Sequence, residues 1–453
     1  MRFARWPLVV LLSGYLIFNK PFALLGAGPV YIGEAVLALL LVLSVLHARA
    51  AWIAPLRESW LARITAAFVL YGGLRVIMDL LQQRGEGTPQ AMLVLRDSVC
   101  VGYAVYAVLA PAVLDAEALA NVLVCVTPLA AAWTALTFFG YWPTDNAWLV
   151  AHRKSDMHSL SAVVAAWVLG VFAYSQLRDR APLLLSRRGL APLWILAALL
   201  CTLLAVVMRT RAAWFALVCL CGALAVLNYR SFLNRYALAA GVLLVAGIAF
   251  VALPFLKNSD SPWAERVRAV YSNDYQQMKT PEGVNAQLNV EWRRLFWARC
   301  ISQTASRAPL TGLGFGINLT DLMRDTPEWW RYEESQRLDP PNRNPHNASI
   351  TVFSRLGLIG LALWWTIVLG TAASALAQLD ARRRAGEDCA AALLLFGVWL
   401  IYAAYMSVGD VIENPFGGIW FWVLTGMLQR LKSPVADVHT RAVSAPERVA
   451  VSA

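Results

Sequence analysis

Cys389 to Gly409, CAAALLLFGVWLIYAAYMSVG, carries no charge; Arg382-Arg383-Arg384 lies before it, and Asp410 and Glu413 follow. About 20 mainly apolar residues are what an α-helix needs to cross the hydrocarbon of a bilayer, and this stretch meets that length. Windows of the same kind recur along the chain. They lie at 6–25, 29–47, 60–80, 91–111, 118–140, 158–177, 190–208, 211–228, 233–256, 347–372, 389–409 and 415–431. The first is broken by Asn19-Lys20-Pro21. The 453 residues are 59% hydrophobic and 15% charged, whereas soluble domains carry about a quarter charged residues. A water-soluble globule, a disordered chain, a collagen-like chain and a disulfide scaffold are all excluded. The expected fold is an all-α membrane protein of about twelve transmembrane helices, with one large, partly helical loop between spans nine and ten.

Basic residues set the orientation. Arg49, Arg57, Arg178, Arg180, Arg187, Arg188, Arg230, Arg235, Arg382 to Arg384, Arg430 and Lys432 fall in loops on one side. The short loops on the other side hold only Arg84, Arg153, Lys154, Arg209 and Arg211. Cytoplasmic loops are the ones enriched in Lys and Arg, so both termini are expected in the cytoplasm. The same bias accounts for the net charge of +11, and nucleic acid is not an expected partner. Met1-Arg2-Phe3-Ala4-Arg5 before an apolar stretch has the form of a signal peptide, but no small-x-small site follows, so an uncleaved first span is expected.

The organisation that follows is 1–256 for helices one to nine, 257–345 for a loop domain outside the cell membrane, 346–432 for helices ten to twelve, and 433–453 for a polar, disordered tail. Within the loop domain, Glu291 to Ser306 (EWRRLFWARCISQTAS) predicts an amphipathic helix with Trp292, Leu295, Phe296 and Ile301 on or near one face. Pro309 to Gly316 (PLTGLGFG) is turn-rich. Asn318 to Arg337 predicts a further helix interrupted at Pro327, and Trp329-Trp330 suits a surface lying against lipid headgroups. Pro340 to Pro345 is an extended lead into span ten. Seven cysteines show no CxxC spacing and only Cys300 lies in a long polar segment, so neither a disulfide framework nor a metal site is expected.

Charges inside hydrocarbon are costly and their positions are informative. Lys20, Glu34, Arg75, Asp79, Arg96, Asp97, Arg211, Arg355, Asp410 and Glu413 all fall toward the outer ends of their spans. Glu34 reads as lying inside span two. A polar cavity open to the outer leaflet explains this one-sidedness better than snorkelling does. Arg75 and Asp79, four apart on one helix face, read as an internal ion pair. Arg209 and Arg211 sit in an outer loop of almost no length, and a guanidinium matches phosphate oxygens in pairs. Of five histidines, His346 stands apart, in Asn344-Pro345-His346-Asn347 where span ten begins. Asn347 is a natural N-cap, and the positive end of a helix favours the neutral imidazole a general base needs. An interfacial histidine that only leads the chain into the membrane is the alternative.

His346 to Gly360, HNASITVFSRLGLIG, resembles the signature of bacterial O-antigen ligases, in which His and a polar residue precede a span with spaced small residues. Met208 to Trp214 (MRTRAAW) resembles that family's Arg-small segment opening a span. Arg293-Arg294-Leu295-Phe296-Trp297, followed by Pro309 to Gly316, resembles the Arg, Trp, Pro-Leu-x-Gly-x-Gly run of the wider ligase and polymerase superfamily. The resemblance runs from about Arg209 to Glu413. It implies transfer of O-antigen polysaccharide from undecaprenyl diphosphate to a sugar hydroxyl of lipid A–core. The reaction would take place at the periplasmic face of a Gram-negative inner membrane, among membrane lipids and with no cofactor, metal or ATP. Carried over residue by residue, it implies His346 as general base and Arg211 and Arg294 as catalytic cations, with Arg209, Arg293, Asn347 and Asp410 binding substrate. Arg293 and Arg294 exchange roles under one residue of slippage.

An O-antigen polymerase or a protein O-oligosaccharyltransferase would use the same donor on another acceptor. A transporter or flippase for lipid-linked glycan would also fit the number of spans, but no internal repeat is evident and the polar residues do not gather at the midplane. A metal-dependent glycosyltransferase would need paired acidic residues in an early outer loop, where only Glu86 is found. Nothing in the sequence addresses oligomeric state.

Overall fold

The computed structural model describes residues 5–27, 30–47, 56–57, 59–82, 88–139, 157–177, 190–208, 210–228, 281–323, 344–409 and 411–431. Helices dominate them. In chain order they are α1 (Arg5–Phe18), α2 (Lys20–Ala23), α3 (Ile32–His47), α4 (Trp60–Gln82), α5 (Thr88–Asp97), α6 (Val99–Gly102), α7 (Val105–Val113) and α8 (Ala116–Phe139). There follow α9 (Met157–Leu177), α10 (Ala191–Val207), α11 (Arg211–Asn228), α12 (Pro281–Arg307), α13 (Ala348–Arg384), α14 (Ala390–Val408) and α15 (Pro415–Gln429). Apolar helices stand at every window read from the sequence except 233–256, which lies outside the described residues. Among the described residues, five helices are long and apolar enough to cross a membrane, and a sixth is added if the pair 91–97 and 99–113, bent by 40°, forms one span. The protein is thus a helical membrane protein.

Local deviations from the windows have visible causes. The first span breaks at Asn19, whose φ of 52° ends α1, and Asn19 Nδ2 donates to Ser161 Oγ at 2.9 Å. A two-residue hairpin, Gly26–Ala27 with Val30–Tyr31, precedes α3. Glu34 lies within the helix of that window, as read, close to its start. It sits in the first turn of α3, where its carboxylate accepts hydrogen bonds from the Tyr31 amide at 3.0 Å and Tyr103 Oη at 2.5 Å. Acidic groups are favoured in a first helical turn by its exposed N–H groups.

Burial sorts the helices into inner and outer. Every residue of α15 from Phe416 to Gln429 is buried, the mark of a helix enclosed on all sides. By contrast, α10 turns Leu193, Leu196, Leu199, Leu200 and Leu203 outward, as a lipid-facing helix does. Lipid tails are as apolar as leucine, so side-chain hydrogen bonds help hold such helices together. Trp399 Nε1 donates to Thr425 Oγ1 at 2.9 Å, and Gln429 Nε2 donates to Thr65 and Thr371 hydroxyls at 3.2 Å.

The bundle has two chemically different ends. Antiparallel α4 and α13 place Tyr71 beside Leu356, with Tyr71 Oη donating to the Leu356 carbonyl at 3.0 Å, and Leu61 against Gly370. The N-terminus of α13, the C-termini of α4 and α14 and the loop after α12 meet at one end, called the loop end below. At the far end Arg383 donates to the Leu227 carbonyl at the close of α11. A cavity of about 240 Å³ there is lined by Tyr174, Ser175, Arg383, Glu387, Asp388 and Cys389, among others.

Candidate functional site

The loop end is built on α12. Trp292, Phe296, Cys300 and Thr304, spaced by four, form its buried face and pack with Leu319 and Met323 of a single 3-10 turn, Leu319–Met323. Full burial of a side chain such as Phe296 contributes about 1.5–3 kcal/mol. Ile301 does not share this face. It is 46% exposed, because a stripe repeating at 292, 296, 300 and 304 leaves position 301 a quarter-turn away. Where a helix was expected from Asn318, the described chain forms only that 3-10 turn, organised by Asn318 Oδ1 accepting from the Thr320 amide and hydroxyl. The remainder of that expected helix, including Trp329 and Trp330, lies outside the described residues. Burial pushes the Cys300 thiol up to about 12.

His346 sits where α12 meets α13. Its φ is 53°; among the described non-glycine residues only Asn19 shares a positive value. The next residue, Asn347, caps α13 as its sequence position suggests: Oδ1 accepts from the Ile350 amide at 3.1 Å. The same amide group reaches across to α14, Nδ2 donating to the Ser407 carbonyl at 2.8 Å. The His346 ring meets Trp292 edge-on, with centroids 6.3 Å apart. Two further bonds brace this corner. Trp297 Nε1 donates to the Pro345 carbonyl, and Arg293 Nη1 donates to the Val408 carbonyl at 3.0 Å.

The structure thus brings together His346, Asn347, Arg293 and the tryptophans of α12. Arg294 is exposed beside them on α12. Arg211 is half-buried and opens α11 at the end opposite Leu227, hence at the loop end. Arg209 and Asp410 lie outside the described residues. Among the described residues no group of three His, Cys, Asp or Glu side chains could hold a metal ion.

Beneath this corner lies a feature that sequence reading did not foresee. α13 breaks at Gly357, with φ 65° and ψ −162°, and a Cβ there would overlap the Leu310 carbonyl. The Pro309–Gly316 loop fits into the break. The Leu313 and Gly314 amides donate to the Ser354 and Arg355 carbonyls at 2.7 and 3.2 Å, and the Leu358 and Ile359 amides donate back to the Pro309 and Leu310 carbonyls at 2.9 and 3.2 Å. Backbone groups freed inside a membrane protein need such partners. Carboxylates complete the seam. Asp79, paired with Arg75 at 3.1 Å, accepts from the Phe315 amide at 2.7 Å. Asp97 accepts from the Gly316 amide at 3.1 Å and pairs with Arg355 at 2.9 Å. Arg355 is wholly buried, and its Nη1 also donates to the Gly314 and Ile317 carbonyls. The expected Arg75–Asp79 pair is present, and its carboxylate also holds the loop. The available signal was the alternation of Gly312, Gly314 and Gly316 opposite a span carrying Arg355 and Gly357.

In comparison with known families, residues 196–365 fit the family model described as O-antigen ligase. The match covers 170 of the 453 residues and makes that stretch similar to the O-antigen ligase family. It includes Arg211, Arg294, the glycine-rich loop, His346 and Gly357, and ends before Asp410. No curated protein matches the chain.

Proposed function

We propose that this chain is an O-antigen ligase. It transfers O-antigen polysaccharide from undecaprenyl diphosphate to a sugar hydroxyl of lipid A–core, without metal or ATP. In this reading twelve spans cross the inner membrane, both termini are cytoplasmic, the 257–345 domain is periplasmic, and the loop end faces the periplasm.

The observation that carries the reading is the backbone of His346. A non-glycine residue at positive φ costs about 1–3 kcal/mol and persists only where its surroundings impose it, and such residues gather at functional sites. Here the Asn347 cap and the Trp297 bond to Pro345 impose it. A histidine that merely led the chain into the membrane would need neither.

The chemistry then divides among few groups. His346 takes the proton from the acceptor hydroxyl, a general-base contribution of typically about 10²–10⁴-fold. The acceptor oxygen attacks the anomeric carbon. The bond from that carbon to the diphosphate oxygen breaks, and undecaprenyl diphosphate departs with the electron pair, so the anomeric centre inverts. Arg294 and Arg211 neutralise the charge growing on the diphosphate. Arg209 and Asp410 contribute to binding, while Arg293 and Asn347, tied to the Val408 and Ser407 carbonyls, hold the corner in shape.

The test is transfer by purified protein given undecaprenyl-diphosphate-linked glycan and lipid A–core with chelator present. Glycan should appear on the core lipid with wild type, and His346→Ala should abolish transfer while folding normally. Substantial residual activity in that variant would remove the base assignment. Growth of glycan on its own carrier would instead make the protein a polymerase.

A further inference from the structure

We infer that Arg355 is a positioning residue for the transfer: with Asp97 it locks the glycine-rich loop into the break of α13 and so sets the angle between the helix bearing Arg294 and the helix end bearing His346. The inference rests on the glycosyl-transfer reading.

The loop begins at Ala308, directly after α12 ends at Arg307. Whatever fixes the loop therefore fixes that end of α12. The segment of α13 ahead of Gly357 begins at Ala348, two residues after His346. Loop and segment are pinned to each other by two backbone hydrogen bonds, from the Leu313 and Gly314 amides to the Ser354 and Arg355 carbonyls, and two more tie the loop to Leu358 and Ile359 beyond the break. Three further atoms of the loop, the Gly314 and Ile317 carbonyls and the Gly316 amide, are pinned by the Arg355–Asp97 pair.

A buried ion pair is weak evidence for stability, because desolvating both charges offsets much of their attraction. A well-packed apolar pair would hold α5 to α13 about as firmly. What it could not do is satisfy those carbonyls and that amide together, in one geometry. Arg355 lies nine residues beyond His346, about 13 Å along a helix, so it acts through the backbone and not on the sugar or diphosphate at His346. Misplacement of catalytic groups by about 1 Å lowers rates by about 10²-fold.

The experiment compares wild type with Arg355→Met in two measurements: kcat and KM for the lipid-linked donor per folded protein, and hydrogen exchange of residues 309–317. The expected result is lost protection in that segment, a fall in kcat of about 100-fold, and a KM within about threefold of wild type. Asp97→Asn, which keeps an acceptor oxygen, and Gly357→Ala, which leaves both charges, carry the test if Arg355→Met does not fold; each should loosen the loop and lower kcat in the same way. Protection lost with kcat unchanged would overturn the positioning role and leave the pair purely structural; protection and kcat both unchanged would overturn the locking of the loop as well. If wild type transfers no glycan although its loop is protected, the transfer reading fails and the positioning role falls with it.

Discussion

The two ends of the bundle use the same residue types to opposite effect. At the far end Arg384 and Asp380, four apart on α13, pair at 2.7 Å, with the arginine side chain 64% exposed. At the loop end Arg355 and Asp97 come from distant helices and pair at 2.9 Å with almost no exposure. An exposed pair of the first kind contributes about 0.3–0.5 kcal/mol. Removing one partner of the second kind strands a charge where water cannot reach it and costs about 3–5 kcal/mol. Burial decides which pair the protein depends on; the contact distance does not.

That contrast can be broken by substitution. The largest effect is expected from Asp97→Ala, which strands Arg355 and frees the Gly316 amide; thermal unfolding in detergent should show a loss of about 3–5 kcal/mol. An unchanged melting temperature would mean that Arg355 finds another partner. Asn347→Ala should be intermediate, since an N-cap contributes about 1 kcal/mol, and here the bond to the Ser407 carbonyl is lost as well. It should lower activity more than stability, because His346 is its neighbour. Asp380→Ala should be the smallest, within about 0.5 kcal/mol of wild type and without effect on transfer. A larger loss there would erase the difference between the ends.

What could be read from the sequence follows the range of the forces involved. The window at 389–409 coincides with α14 because twenty apolar residues in a row admit few other structures in lipid. Asn347 as a cap and Arg75 with Asp79 were legible too, since both are local and depend on spacing along one helix. The break at Gly357 was not. A glycine in an apolar run reads as a small residue at a helix interface, and only the loop lying across it reveals the positive φ. Nor could the partner of Arg355 be named, because Asp97 reaches it through the packing of separate helices. The amphipathic face of α12 is legible at Trp292 and Phe296, which are buried, but not at Ile301, which apolar character places on or near that face and the structure leaves exposed. At the site itself the motif located His346, while its strained backbone and its contact with Trp292 belong to the folded corner.

The break in α13 also bears on how the protein sits in membranes of different thickness. Residues 358–384 alone make a helix of about 40 Å, longer than the roughly 30 Å of hydrocarbon it has to cross. A surplus of this kind is taken up by tilt. The loop is bonded on both sides of Gly357, to Ser354 and Arg355 ahead of it and to Leu358 and Ile359 beyond it, so the start of the long half is held as well. A change in lipid composition then has to be met by the helix beyond Ile359, with the clamp around Gly357 standing between that motion and His346.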